Sequence, residues 1–288
     1  MTRRGRRRSA SWSTRTVVDR RSGSGDPRTV DAGSLVQVSL LGPMEVTVAG
    51  QPLALGGPGR RALIAALALD VGSVVGVPLL LEAIWDDRPP VTATTKLQGH
   101  VCALRQGLER LGGPEAAHVV RTRSPGYVLC TPEASTDVVA FDALVREARS
   151  ATLPGGAARR AAALEQGLRL WRGDACTDVS SRRVAAVAAS LDEHRRRATE
   201  DLAEARLALG QHDAVIDAMQ SLVRLTPYRE RAWEHLISAH LGRGDLTSAL
   251  AVHEQLCRIL AGELGTAPGV RISRLIGAIR QSGSIAHR

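Results

Sequence analysis

Gly210 and Gly244 stand 34 residues apart, and the sequence around them repeats. At the same offset His212 meets Leu246, Val215 meets Ala249, Ile216 meets Leu250 and Leu222 meets Leu256. From Asp137 onward the apolar residues fall at helical spacing, as in FDALVREARSA, AARRAAALEQGLRLW and DAVIDAMQSLVRL. A repeated unit of helix, turn and helix cannot bury its apolar faces alone. It must stack on its neighbours, so this half of the chain is expected to be an all-α array. Composition points the same way. Hydrophobic residues make up 44% of the chain and aromatics only 2%, so its cores must be built from Leu, Val, Ile and Ala.

A 34-residue helix–turn–helix period is the tetratricopeptide signature. The match is degenerate, because the usual aromatic positions are mostly aliphatic. Such arrays offer a curved surface for protein contacts. Trp171, Trp233 and Tyr228 fall in helical segments and are expected in the core. Arg195, Arg196 and Arg197 lie beside Asp192, Glu193, Glu200 and Asp201. They read most simply as a solvated helix face with mixed pairs; a partner-binding surface is the alternative.

The first half has another pattern. VQVSLLG and MEVTVAG read as two short strands on either side of Gly42-Pro43, Gly50 starts the next, and LALGG adds a third. One helix starts near Pro58 and a second runs from about Pro78 to Trp85. Asp86 to Pro90 break the chain, and Thr92 or Thr94 can cap the next helix. That helix, TTKLQGHVCALRQGLERLG (94–112), carries Leu97, Val101, Leu104, Leu108 and Leu111 on one stripe. Thr95, Lys96, Gly99, Ala103, Gln106 and Arg110 lie on its other side. By itself the stretch is an ordinary amphipathic helix, yet it holds Gly99 and Gly107, each costing about 1 kcal/mol relative to alanine. After Gly112-Gly113-Pro114, HVVRTRSPGYVLC reads as a hairpin with Pro125 and Gly126 in a type II turn. Strands, three helices and a hairpin make a winged helix-turn-helix, in which the third helix enters the DNA major groove.

Charge and motifs narrow the function classes. The net charge is +9, but residues 1–34 hold nine Arg against three Asp, while residues 35–132 and 133–288 are nearly balanced at +1 and +2. The tail is expected to be disordered and able to bind phosphates without specificity. Any specific binding face must therefore be local. Cys102, Cys130, Cys176 and Cys257 form no CxxC pair and read as reduced cytosolic thiols. No stretch approaches 18 apolar residues, so no membrane span is expected. His235 and His240 are five apart, unlike a zinc-binding HExxH pair, and LGGPGRRAL lacks the Lys-Ser/Thr of a P-loop. No catalytic constellation, metal site or cofactor is expected.

Together, VSLLGPMEV (38–46), LGGPGRRALIAALAL (55–69), LLEAIWDDRPP (80–90), LQGHVCALRQGL (97–108) and SPGYVL (124–129) resemble one family. LRLWRGDACTDV (168–179), LDEHRRRATEDLAEARLALGQHD (191–213), LTPYRERAWEHLISAHLGRGDLTSAL (225–250) and GELGTAPGVRISRLIGAI (262–279) extend the likeness. The family is the actinobacterial activators of antibiotic biosynthesis often called SARPs. The resemblance implies a mainly α protein: a disordered basic tail at 1–34, an OmpR-type winged helix (α+β) at 35–132, and an all-α, tetratricopeptide-like bacterial transcriptional activation domain at 133–288. The family usually begins near Val36, so the tail reads as an upstream extension of the reading frame, with a genuine basic DNA-binding arm as the rival.

The resemblance further implies promoter DNA carrying direct repeats, RNA polymerase holoenzyme as a partner, a homodimer on DNA, and a cytoplasmic, nucleoid-associated site of action. Its DNA-contacting set maps to Arg60, Arg61, Thr95, Lys96, Gly99, His100, Ala103, Arg105, Gln106, Arg121, Arg123 and Tyr127. Lys96, Gly99 and His100 would face the groove, Arg60, Arg61, Arg105 and Arg123 would meet phosphates, and Tyr127 would pack against the hairpin. Members commonly place Arg or Lys around Cys102, Ala103 and Gln106, and this chain does not. Weak binding by a single chain, rescued by dimerisation, is the consequence. A protein-interaction scaffold with a degenerate winged helix is the alternative.

Overall fold

The computed structural model describes residues 34–130, 132, 134–150 and 155–285, with side chains described to residue 278. The basic tail expected at 1–34 lies outside the described residues except for Ser34. Strands β1 (Val36–Ser39) and β2 (Glu45–Val48) pair antiparallel, and β3 (Gln51–Pro52) follows on β2. The third strand is thus two residues long and stops before LALGG. Leu53 still donates its amide to the Val46 carbonyl, at 2.8 Å, but its side chain packs on the third helix instead of extending a ladder.

Three helices come next: α1 (Pro58–Leu69), α2 (Val77–Trp85) and α3 (Ala93–Ala117). Pro58 opens α1 and Pro78 lies in the first turn of α2, where a missing amide hydrogen costs nothing. Seven consecutive residues of α1, Ala62 to Ala68, are buried, so this helix is enclosed by the others. Thr92 caps α3 only through its backbone; its carbonyl accepts from the Lys96 amide at 2.9 Å. Gly113, with φ of 71°, breaks α3 into a long helix and a final turn begun by Pro114. Leu97, Val101, Leu104 and Leu108 are buried as their spacing requires, while Leu111, in the last turn before the break, is left exposed.

The wing is a three-stranded sheet in the order β4 (Val75–Gly76), β6 (Gly126–Leu129), β5 (Val120–Arg123). Two features differ from the sequence reading. Strand β4 was not expected, and the type II turn does not form: the Ser124–Pro125 peptide is cis and Gly126 already belongs to β6, paired with Gly76. A side chain at 126 would collide with the Val75 carbonyl, which accounts for glycine there.

The chain then returns to the first sheet. Strand β7 (Ala134–Thr136) adds parallel to β1, giving the order β3-β2-β1-β7. It leads into α4 (Asp137–Ser150), where Asp137 accepts the Leu40 and Leu41 amides at 2.7 and 3.0 Å. Helices α5 (Gly156–Leu168), α6 (Arg182–Ala208), α7 (His212–Leu225), α8 (Glu230–Gly242), α9 (Leu246–Leu264) and α10 (Val270–Ile285) complete the array.

The repeat is visible atom by atom. Gly210 and Gly244 adopt φ of 71° and 76° after α6 and α8. The next amides, of Gln211 and Asp245, each reach back to a carbonyl five residues earlier at 2.9 Å, the Schellman closure. Val215 and its counterpart Ala249 are both fully buried. Trp171 and Trp233 are core residues as expected, but Tyr228 is 51% exposed.

One apolar cluster runs from Val36 in β1 to Ala205 in α6, and a second from Ala203 to Ile276. The first core is therefore shared between the winged helix and the start of the helical array. The loop before α6 forms the junction. Arg172 and Cys176 donate their amides to the Leu41 and Leu40 carbonyls at 2.7 and 3.0 Å, and Asp178 accepts the Met44 amide at 2.7 Å. Gly42 leaves room for this approach; a Cβ there would lie 2.9 Å from the Arg172 Cβ.

Candidate nucleic-acid interface

The apolar stripe of α3 faces α1, α2 and the sheets, so the opposite side is presented outward. Thr95, Lys96, Gln98, Gly99, Cys102 and Gln106 are exposed there. His100 and Ala103 are half-buried. His100 is held between α1 and α2: its ring centroid lies 6.0 Å from that of Trp85, and a Cβ on Gly59 would come within 2.9 Å of its Nε2. Burial, with Arg60 and Lys96 nearby, pushes its pKa below the usual histidine value, so the ring is neutral at pH 7. That is the helix-packing histidine of the outer edge, not an extended groove contact.

Gly107 and Gly99 of α3 differ in purpose. Gly107 is buried, and a Cβ there would come 3.1 Å from Leu53 Cδ1. Gly99 is exposed, and a Cβ there would meet nothing within 4 Å. So the first admits a neighbouring side chain, and only the second is free of a packing reason.

The cations divide similarly. Arg61 is turned toward the helical array, where it donates to the Met44 carbonyl at 3.0 Å and pairs with Asp178. This corrects the phosphate role expected of it. Arg105 joins α3 to the wing, through the Val120 carbonyl at 2.9 Å and the Thr122 hydroxyl at 3.0 Å, and so positions the wing. Tyr127 is buried in the core beneath β6, consistent with packing and not with a DNA contact. Arg60 folds back over Gly56 and shares a cleft with Ala103, Gly107 and Arg110. Arg110, on the outward side of α3, lies outside the DNA-contacting set that the resemblance maps; its place beside Arg60 in the cleft, not its place in sequence, marks it. Lys96 is exposed at the start of α3, and Arg121 and Arg123 are exposed on β5. Arg121 donates to the His118 carbonyl at 3.1 Å.

Among the described residues no group of three or more His, Cys, Asp or Glu gathers to hold a metal, and no helix is long and apolar enough to cross a membrane.

Comparison with known proteins agrees with this architecture. Residues 136–280 match the bacterial transcriptional activator domain and residues 50–129 the transcriptional regulatory protein C-terminal domain. The regulatory protein DnrI of Streptomyces peucetius is 34% identical over 250 residues, covering 85% of this chain and 92% of DnrI. The chain belongs to the SARP family of transcriptional regulators. The transcriptional regulator RedD of Streptomyces coelicolor is 32% identical, over 86% of this regulator and 71% of RedD. A solved structure of Mycobacterium tuberculosis EmbR, in complex with a low affinity phosphopeptide, superposes with a TM-score of 0.81 at 30% identity. It is covered to 65% of its length by 86% of this chain. The match points to a regulator of transcription and not to an enzyme.

Proposed function

We propose that this regulator binds promoter DNA sequence-specifically and activates a secondary-metabolite gene cluster. Helix α3 enters the major groove, and the β5–β6 wing lies on the adjacent backbone. The observation that carries this reading is the outward face of α3, exposed along three turns and flanked by Lys96 on one side and by the wing cations Arg121 and Arg123 on the other. Arg60 and Arg110, at the cleft beside the N-terminus of α1, suit a further phosphate. Two chains occupy direct repeats as a homodimer, and the helical array presents a surface to RNA polymerase holoenzyme. The protein acts in the cytoplasm at the nucleoid.

About five phosphate contacts in each chain give log Kd a slope against log salt of about 4 to 5 per chain bound. Fluorescence anisotropy with the neighbouring promoters at two salt concentrations tests this, comparing single with tandem half-sites. Tight, specific binding confined to tandem sites is expected. Equal binding to any duplex sinks the reading. A scaffold with a degenerate winged helix is the second reading, and it is favoured by the missing cations on the exposed line of α3.

A further inference from the structure

The line of α3 that points directly away from the core holds Thr95, Gln98, Gly99, Cys102 and Gln106, all exposed. At 100° per residue these positions share one face of the helix. No cation lies among them; Arg110, one turn beyond Gln106 on the same side, lines the cleft that it shares with Arg60. Lys96 stands on one shoulder, and Arg105 on the other is spent on Val120 and Thr122 of the wing. His100 is drawn inward against Gly59 and Trp85. What is left to meet a base edge is two carboxamides, a hydroxyl with its methyl group, a thiol, and bare backbone at Gly99.

Base chemistry then discriminates. Guanine shows two acceptors in the major groove and is read best by Arg or Lys. Adenine shows an acceptor beside a donor, which a Gln or Asn amide matches with both of its polar atoms. Thymine offers a methyl group that apolar contacts select. The exposed line lacks the best partner of guanine and holds two of the partners of adenine. At 1.5 Å per residue, Gln98 and Gln106 are about 12 Å apart along the axis, or three to four base-pair steps of about 3.4 Å. The open space at Gly99, between them, lets the helix axis come close to the base edges.

We infer that α3 reads A·T pairs through Gln98 and Gln106, at two positions three to four steps apart in each half-site. This rests on α3 being the recognition helix. Cys102 and the Thr95 methyl group supply contacts to thymine methyls.

The test is selection of bound duplexes from a randomised library by the full chain, with the bound pool sequenced for wild type, Gln98→Ala, Gln98→Arg and Gln106→Ala. Both glutamines are exposed, so the variants keep the fold, which thermal melting followed by circular dichroism checks. The wild-type pool is expected to be enriched in A·T at two positions so spaced. Gln98→Ala and Gln106→Ala each lose the preference at one of them and bind the wild-type site on the order of tenfold more weakly. Gln98→Arg turns its position to G·C. A wild-type consensus with G·C at both positions, or a Gln98→Ala pool identical to wild type, overturns the inference while leaving sequence-specific binding intact. A wild-type pool with no consensus overturns the recognition-helix reading as well.

Discussion

Arg61, in the first turn of α1, pairs with Asp178, 117 positions later in the sequence, and both hold the backbone of Met44: Arg61 donates to its carbonyl and Asp178 accepts its amide. Three segments, the β1–β2 connection, α1 and the loop before α6, are tied at one point. The orientation of the winged helix against the helical array is set there and in the shared core.

The strength of that tie is measurable. Both side chains are partly exposed, at 27% and 38%, so the coupling between them is expected at only about 0.5–1 kcal/mol in a double-mutant cycle of Arg61→Ala and Asp178→Ala. Asp178→Ala alone costs more, by about 1–2 kcal/mol, because the Met44 amide also loses its acceptor. Urea unfolding of the four proteins reads both numbers, and a coupling of zero would show that the pair ties nothing.

Glu200 is 1% exposed and receives Arg229 on both oxygens, at 2.7 and 3.0 Å. Arg231, at 3.5 Å, cannot replace it. Arg229→Ala leaves a nearly buried carboxylate short of its partner and is expected to cost about 3 kcal/mol. Arg229→Lys falls between, since an ammonium cannot form the paired bonds of a guanidinium. Calorimetric melting checks the order; equal melting temperatures for all three proteins would contradict it.

Acid lowers stability at His235 and at Glu193. Burial, reinforced by Arg231, pushes the pKa of His235 down to about 4, and its Nε2 has no partner among the described residues. A depressed histidine stabilises fully above its unfolded value of 6.5, and the contribution is lost as pH falls from 6.5 toward 4. One proton taken up on unfolding corresponds to a slope of up to about 1.4 kcal/mol per pH unit in that window. Glu193 follows at lower pH: burial opposes its charge, but hydrogen bonds from Arg229, Arg196 and Arg197 outweigh burial and hold it at about 2. Its contribution disappears as pH falls from 4.5 toward 2. Stability curves for wild type and His235→Gln are expected to run parallel above pH 6.5 and below pH 4 and to differ in slope between them.

Gly99 and Gly107 of α3 predict opposite outcomes. Gly99→Ala enters open space and is expected to stabilise by about 0.5–1 kcal/mol through helix propensity. Gly107→Leu drives a side chain into Leu53 and is expected to cost about 1–3 kcal/mol. Denaturant midpoints at constant slope distinguish these; a destabilising Gly99→Ala would mean that the outward face of α3 is covered.

Local rules made much of this fold legible. The 34-residue offset announced two equivalent helix ends, and Gly210 and Gly244 close them with the same hydrogen bonds. Proline at helix starts, the apolar stripe of α3 and the break at Gly113 are each decided within a turn or two of chain. What lay beyond reach had partners far away in sequence or segments too short to show a period. Strand β4 has two residues, and β7 takes its place only because β1 is there to pair with. Periodicity says that one side of α3 is apolar, but not which of its flanking cations are spent on the protein. Arg61 and Arg105 looked like phosphate ligands beside Arg60 and Lys96, and the tertiary structure turned them inward, because a guanidinium near a carboxylate or carbonyl satisfies its donors there. The sequence by itself determined the helices and the family to which the chain belongs. Only the packing of distant segments decided which side chains remain on the surface, since exposure is a property of what covers a residue and not of the residue.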